Sequence, residues 1–148
     1  MTVRTTLLLW LALCGCSRQV TAQWAGGTPR FEGTQARFSG AREGPWKFWF
    51  PNGQLREQGR YEDGLRVGPW KQWYANGELR SEGEREADRV QGVSPRAGCW
   101  RFRFENGALE AQGVFVHGLR EGHWDYYLPD GDLDGDRTGE YHLDQLLR

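Results

Sequence analysis

The chain has no isoleucine, one methionine and only two lysines, Lys47 and Lys71, and beyond its first residues leucine and valine are thinly spread. With 38% hydrophobic residues and a mean hydropathy of −0.76, its 148 residues do not supply a thick aliphatic core. A formal net charge of −1, with arginines alternating with acids, leaves no basic footprint for nucleic acid. After the N-terminus no apolar run has the length of a membrane-spanning helix. Of three cysteines, Cys14 would leave with the leading segment and Cys16 would be lost or lipid-modified, so Cys99 is left as the one free thiol and no intramolecular disulfide is expected. Cys99 reads as a small packing residue. The three histidines, His117, His123 and His142, share no metal-ligand spacing, and Ser39, Ser81 and Ser94 have no nucleophile-elbow context. Carboxylates such as Glu57 and Glu78 fall at repeated, water-facing positions and single out no acid pair. These absences argue against an enzyme, and no cofactor motif is present. One acidic run, Asp130, Asp132, Asp134 and Asp136, has the opening of a calcium loop, but Tyr141 stands where that loop needs its bidentate glutamate. It is kept as a weak calcium candidate.

What the chain does have is rings and glycine: aromatic residues make up 14%, and glycine contributes 21 positions. Apolar surface carried on large flat rings beside positions without side chains suits a thin β-structure. The N-terminus is different. Arg4 is followed by the short apolar run Leu7–Leu13 and then Leu13-Cys14-Gly15-Cys16, which resembles a bacterial lipoprotein signal with Cys16 as the lipid-bearing residue. Ser17, which is not Asp, then implies delivery to the outer membrane. The alternative is simple cleavage after Val20-Thr21-Ala22, giving a secreted or soluble periplasmic protein.

Internal repetition is the strongest signal. Trp46, Trp70, Trp100 and Trp124 are spaced 24, 30 and 24 residues apart. The pairs Asn52-Gly53, Asn76-Gly77, Asn106-Gly107 and Asp130-Gly131 keep the same spacing, as do Leu55, Leu79, Leu109 and Leu133. The six extra residues fall in the polar stretch 84–97. Aromatic runs on either side of Asn-Gly or Asp-Gly read as hairpins closed by two-residue type I′ turns. The expected fold is therefore all-β: an elongated meander of stacked hairpins behind an N-terminal signal helix. Its parts are a signal peptide (1–16), a linker (17–36), the repeat domain (37–141, with repeats at about 40–63, 64–91, 92–117 and 118–141) and a C-terminal tail (142–148). Arg37-Phe38-Ser39-Gly40 and Gly139-Glu140-Tyr141 read as partial flanking copies.

Strand alternation separates two faces. Trp46, Trp70, Trp100 and Trp124 form a core ladder of rings slotted over glycines such as Gly59. The other face carries Lys47, Lys71, Arg101 and Arg103 with Trp49, Trp73 and Tyr127, a candidate partner-binding surface.

The blocks G-x-W-x-x-[WY]-x-x-N-G-x-L-x-x-x-G-x-Y resemble the bacterial variant of the MORN repeat, the group of antitoxin-like repeat proteins, over about Arg37 to Tyr141. The resemblance implies a stack of hairpins acting as an interaction scaffold. Repeat two departs from it: Arg85 stands where Tyr61 and Phe115 stand. Trp124–Gly131 also resembles choline-binding repeats of cell-wall proteins, in one block only. The expectation is an exported scaffold for an unknown protein partner, touching the membrane only through a lipid, with toxin neutralisation as a special case. The alternative is an aromatic binder of cell-wall glycan or a choline-type ligand.

Overall fold

The structure is a computed structural model that describes residues 17–147. The segment 1–16 read from the sequence as a signal peptide, with its helix and Cys16, lies outside the described residues. Eleven strands follow one another: β1 (Ser17–Gln23), β2 (Pro29–Ala36), β3 (Arg42–Trp49), β4 (Leu55–Glu62), β5 (Leu65–Trp73), β6 (Leu79–Arg85), β7 (Arg96–Arg103), β8 (Leu109–Val116), β9 (Leu119–Tyr126), β10 (Gly139–His142) and β11 (Gln145–Leu146). Each pairs antiparallel with the next in one sheet ordered as the chain runs, and no helix occurs among the described residues. At about 4.8 Å per strand the ten steps span roughly 48 Å. No second layer is packed on this sheet by the described residues, so its rings must be buried by their own neighbours.

Glycine makes that burial possible. The indoles of Trp46, Trp70, Trp100 and Trp124 lie flat on Gly33, Gly59, Gly83 and Gly113 of the preceding strands, where any Cβ would overlap the ring. A bulge aims each ring. Two residues before each tryptophan, Gly44, Gly68, Gly98 and Gly122 have φ between 63° and 71°, a conformation glycine adopts without a Cβ penalty. The register is interrupted at the same points, between Glu32 and Thr34, Gln58 and Arg60, Gly83 and Glu84, and Gln112 and Val114. All four tryptophans are at most 2% exposed. Trp46 Nε1 donates to Thr34 O at 3.0 Å, Trp100 Nε1 to Glu84 O at 2.9 Å and Trp124 Nε1 to Val114 O at 3.0 Å. Trp70 Nε1 is buried without a partner.

Four readings are corrected here. The span 17–36 is not a linker: β1 and β2 form a further hairpin, with Val20 in the tryptophan position opposite Gly33 and packed on the Trp46 cluster. Its turn repeats the later ones, Trp24 N donating to Thr28 O as Phe50 N does to Gln54 O. Phe38 is no strand residue but a loop tip, 91% exposed. The span 142–148 is not a plain tail, because it supplies β11. Finally, the Asn-Gly turns are not two-residue type I′ turns. Phe50 O accepts from Gly53 N at 3.0 Å and only Gly53, at φ 86°, has positive φ, which fits a three-residue loop ending in a left-handed glycine. Positive φ at both central residues occurs instead at Asp63-Gly64, His117-Gly118 and Leu143-Asp144.

The three-residue loops explain a sequence preference. Thr28 Oγ1 donates to Pro51 O, Asn52 Nδ2 to Ala75 O, Asn76 Nδ2 to Glu105 O and Asn106 Nδ2 to Pro129 O, at 2.7–3.2 Å. Each turn is thereby tied to the next by a side-chain donor. Asp130, which cannot donate when ionised, occupies the last such turn, beyond which no equivalent turn remains to be tied.

Candidate interaction faces

The ring-bearing face divides into two clusters. Trp46, Phe48, Tyr61 and Trp70 form one, with Val20 and Phe31 against it. Trp100, Ala111, Phe115, Trp124, Tyr126 and Tyr141 form the other, with Phe102 and Leu146. Between them the second repeat substitutes Gln72 for the phenyl position, Ser81 for its partner and Arg85 for the tyrosine. The resulting seam is polar but bonded. Gln72 Nε2 donates to Glu57 Oε2 at 3.3 Å, Ser81 Oγ to Gln72 Oε1 at 3.2 Å, and Arg66 pairs with Glu57 at 3.2 Å. Glu57 and Ser81 are buried, so the network is needed to offset their desolvation.

Arginine covers the rings. Arg42, Arg66, Arg96 and Arg120 recur at the tryptophan spacing, four residues before each indole. The Arg42 guanidinium lies 4.9 Å from the Trp46 centroid, Arg66 4.4 Å from Trp70, Arg96 5.0 Å from Trp100 and Arg120 4.3 Å from Tyr141. These cation–π contacts replace a second packing layer. Sequence reasoning missed this row, although its spacing was visible.

The opposite face is a transverse charge ladder. Lys47 pairs with Glu32 at 3.6 Å and Lys71 with Glu82 at 3.0 Å; Arg101 is opposite Glu82; Gln112 donates to Asp125 at 3.0 Å. His123 continues it between Asp125 and Glu140, at 3.3 and 3.1 Å. Lys47 and Lys71 come together around one open depression of about 510 Å³ with Pro45, Gln58, Gly59 and Pro69. Lys71 and Arg101 line a second such depression. Arg103 stands apart, its Nη1 donating to Gly107 O at 3.4 Å. Trp49, Trp73 and Tyr127 are each half-buried. The register shifts beside Trp49 and Trp73 leave Arg56 and Arg80 as the extra residues on the return strands.

Two further readings change. Cys99 is exposed, in the bulge where two other repeats have Pro45 and Pro69. The acidic run does not converge. Asp130 Oδ1 and Asp134 Oδ1 accept from the amides of Asp132 and Asp136 in their own turns, and no cluster of three His, Cys, Asp or Glu side chains fit for a metal exists among the described residues.

A single sheet of hairpins repeated in register, with two chemically distinct open faces, defines a repeat protein. Residues 42–63 and 66–86 match the family model described as MORN repeat variant. MORN repeats are commonly non-catalytic modules for protein or membrane interaction. The same geometry continues outside the matched spans, in β7 to β10. No curated protein matches the chain.

Proposed function

We propose that the chain is an exported repeat scaffold that holds a protein partner at the cell envelope, anchored through a lipid on Cys16. The observation that carries this reading is the one-layer sheet, which leaves both broad faces open to a partner; most domains would cover one of them. The position of β1 supports the lipoprotein form of export. Processing before Cys16 leaves β1 whole, whereas cleavage after Ala22 would remove all of it but Gln23 and take Val20 from the Trp46 cluster. Neutralisation of a toxin is a special case of the scaffold role, and co-expression with neighbouring genes discriminates it.

Glycan or choline binding is the weaker alternative. The core indoles are buried, and the ring faces that would take a quaternary ammonium already hold the chain's own guanidinium groups.

The test is crosslinking in cells with affinity capture from envelope extract, beside a repeat-scrambled chain and a Cys16→Ser variant. The scaffold reading expects one or a few polypeptides captured by the native chain alone, and loss of membrane association in Cys16→Ser. Equal recovery by the scrambled chain would sink it.

A further inference from the structure

The arginines of the ring-bearing face are unevenly matched with acids. Across β3 to β7 lie Arg42, Arg56, Arg66, Arg80, Arg85 and Arg96, and the carboxylate that pairs with any of them among the described residues is Glu57, with Arg56 and Arg66. They form one strip. Tyr61 Oη accepts from both Arg42 and Arg66, at 3.0 and 3.3 Å, and Arg56 and Arg80 line one depression with Glu57. Glu43, next to Arg42, turns its carboxylate to the Asp63 amide. The Nε atoms of Arg85 and Arg96 are buried and unbonded. Burial, and then the neighbouring charges of Arg96 and Arg66, push the Arg85 guanidinium down to about 10; burial and then Arg80 also lower Arg96. Positive groups crowded in this way favour an anion beside them.

The last repeat shows what that anion looks like. Arg120 meets Asp144, whose Oδ1 accepts from Arg120 N at 2.8 Å and Nε at 2.9 Å. Burial opposes the charge of Arg120, but hydrogen bonds with Asp144 and Tyr126 outweigh it and raise its pKa. Asp144 holds the second position of a tight turn at φ 67°. The equivalent positions over Arg42 and Arg96 are Gly64 and Gly118, whose amides donate to Arg42 O and Arg96 O as that of Asp144 does to Arg120 O. Glycine brings no carboxylate, so those arginines lack the partner Arg120 has.

We infer that the strip from Arg42 to Arg96 docks a carboxylate-bearing segment of a protein partner, each acid taking the place that Asp144 takes on Arg120. The inference rests on the scaffold reading and adds the chemistry of the partner. Poly-L-glutamate is the probe, titrated against the intact chain by intrinsic fluorescence and calorimetry, with poly-L-lysine and phosphatidylglycerol vesicles in parallel. Salt-sensitive binding of poly-L-glutamate is expected, weakened about tenfold by Gly64→Asp. That variant keeps every arginine and ring and supplies the acid internally; a Cβ at residue 64 meets nothing closer than Ala41 Cβ at 3.8 Å, and the left-handed φ of 82° there, strained for most side chains, is close to the 67° that Asp144 already adopts. Arg96→Gln should weaken binding as much, and Arg60→Gln, outside the strip, should leave it unchanged. Absence of poly-L-glutamate binding, indifference to both strip substitutions, or tighter binding to the vesicles would overturn the inference. The two readings fail separately. Capture of a partner with equal strength by Gly64→Asp leaves the scaffold and removes the strip. Poly-L-glutamate binding with no partner captured does the reverse.

Discussion

The two halves of the sheet solve the same packing problem with different chemistry. In the C-terminal half the rings meet each other: Trp124 has Phe115 at 4.8 Å, Tyr126 at 5.8 Å and Phe102 at 6.4 Å. In the N-terminal half Trp46 likewise meets Phe48 at 5.6 Å, Phe31 at 5.8 Å and Tyr61 at 5.9 Å, but the ladder ends at Trp70, whose ring neighbour is Tyr61 at 5.1 Å and whose outer side faces Arg66 and the Glu57 network. The position after the repeated leucine follows the same division, with Arg56 and Arg80 first and then Glu110 and Asp134. One repeat thus gives a self-satisfied end, where acids and arginines are mixed, and an end whose positive charge is largely uncompensated. A repeat fold permits this because each hairpin answers mainly to its neighbours.

Truncating the tryptophans breaks the comparison most strongly. Trp124→Ala should cost about 3–5 kcal/mol in urea unfolding. Trp70→Ala should cost less, since Trp70 has fewer rings around it and an unpaired Nε1. Equal losses would remove the distinction between the halves.

Repairing the seam sharpens the comparison. Replacing Glu57, Gln72 and Ser81 by Ala, Phe and Ala, the residue types of the third hairpin and its neighbours, should join the two clusters. The expected gain is about 1–2 kcal/mol, because a buried ionic network usually yields little net stability against apolar packing. Glu57→Ala alone should destabilise, by leaving Arg66 and Gln72 unmatched. Chemical denaturation distinguishes the two outcomes.

The turn lacing gives a smaller contrast. Asn76→Asp removes the donor to Glu105 O and should cost about 1 kcal/mol, whereas Asp130→Asn, at the last such turn, should lie within about 0.5 kcal/mol of the native chain.

The smallest effect is in acid. The amide of Arg120 lowers the Asp144 pKa, burial opposes this, and the guanidinium lowers it further. A carboxylate depressed in the folded state contributes stability that is present above its unfolded pKa and is lost as pH falls through the folded one. Thermal melts below pH 4 should therefore show a loss in the native chain that is weaker in Asp144→Asn.

Much of this was legible in the residues, and the misses have physical reasons. Large rings cannot recur in register by accident, so the tryptophan period pointed to the hairpins and to glycine seats such as Gly59. The first hairpin was hidden because Val20 replaces its tryptophan and Gln35 its tyrosine, leaving Gly33 as the trace. Asn-Gly suits both a two-residue turn and a three-residue loop, and the loop length decided it. The arginine row was overlooked because arginine reads as solvent-facing, although in a one-layer sheet its guanidinium is the available cover for a ring.

The seating of each indole on a bare glycine underlies everything else, and proton chemical shifts read it directly. The Hα resonances of Gly33, Gly59, Gly83 and Gly113 should be moved far upfield by ring currents and should show nuclear Overhauser contacts to the indoles of Trp46, Trp70, Trp100 and Trp124. Ordinary glycine shifts at these four positions, with no such contacts, would contradict the account.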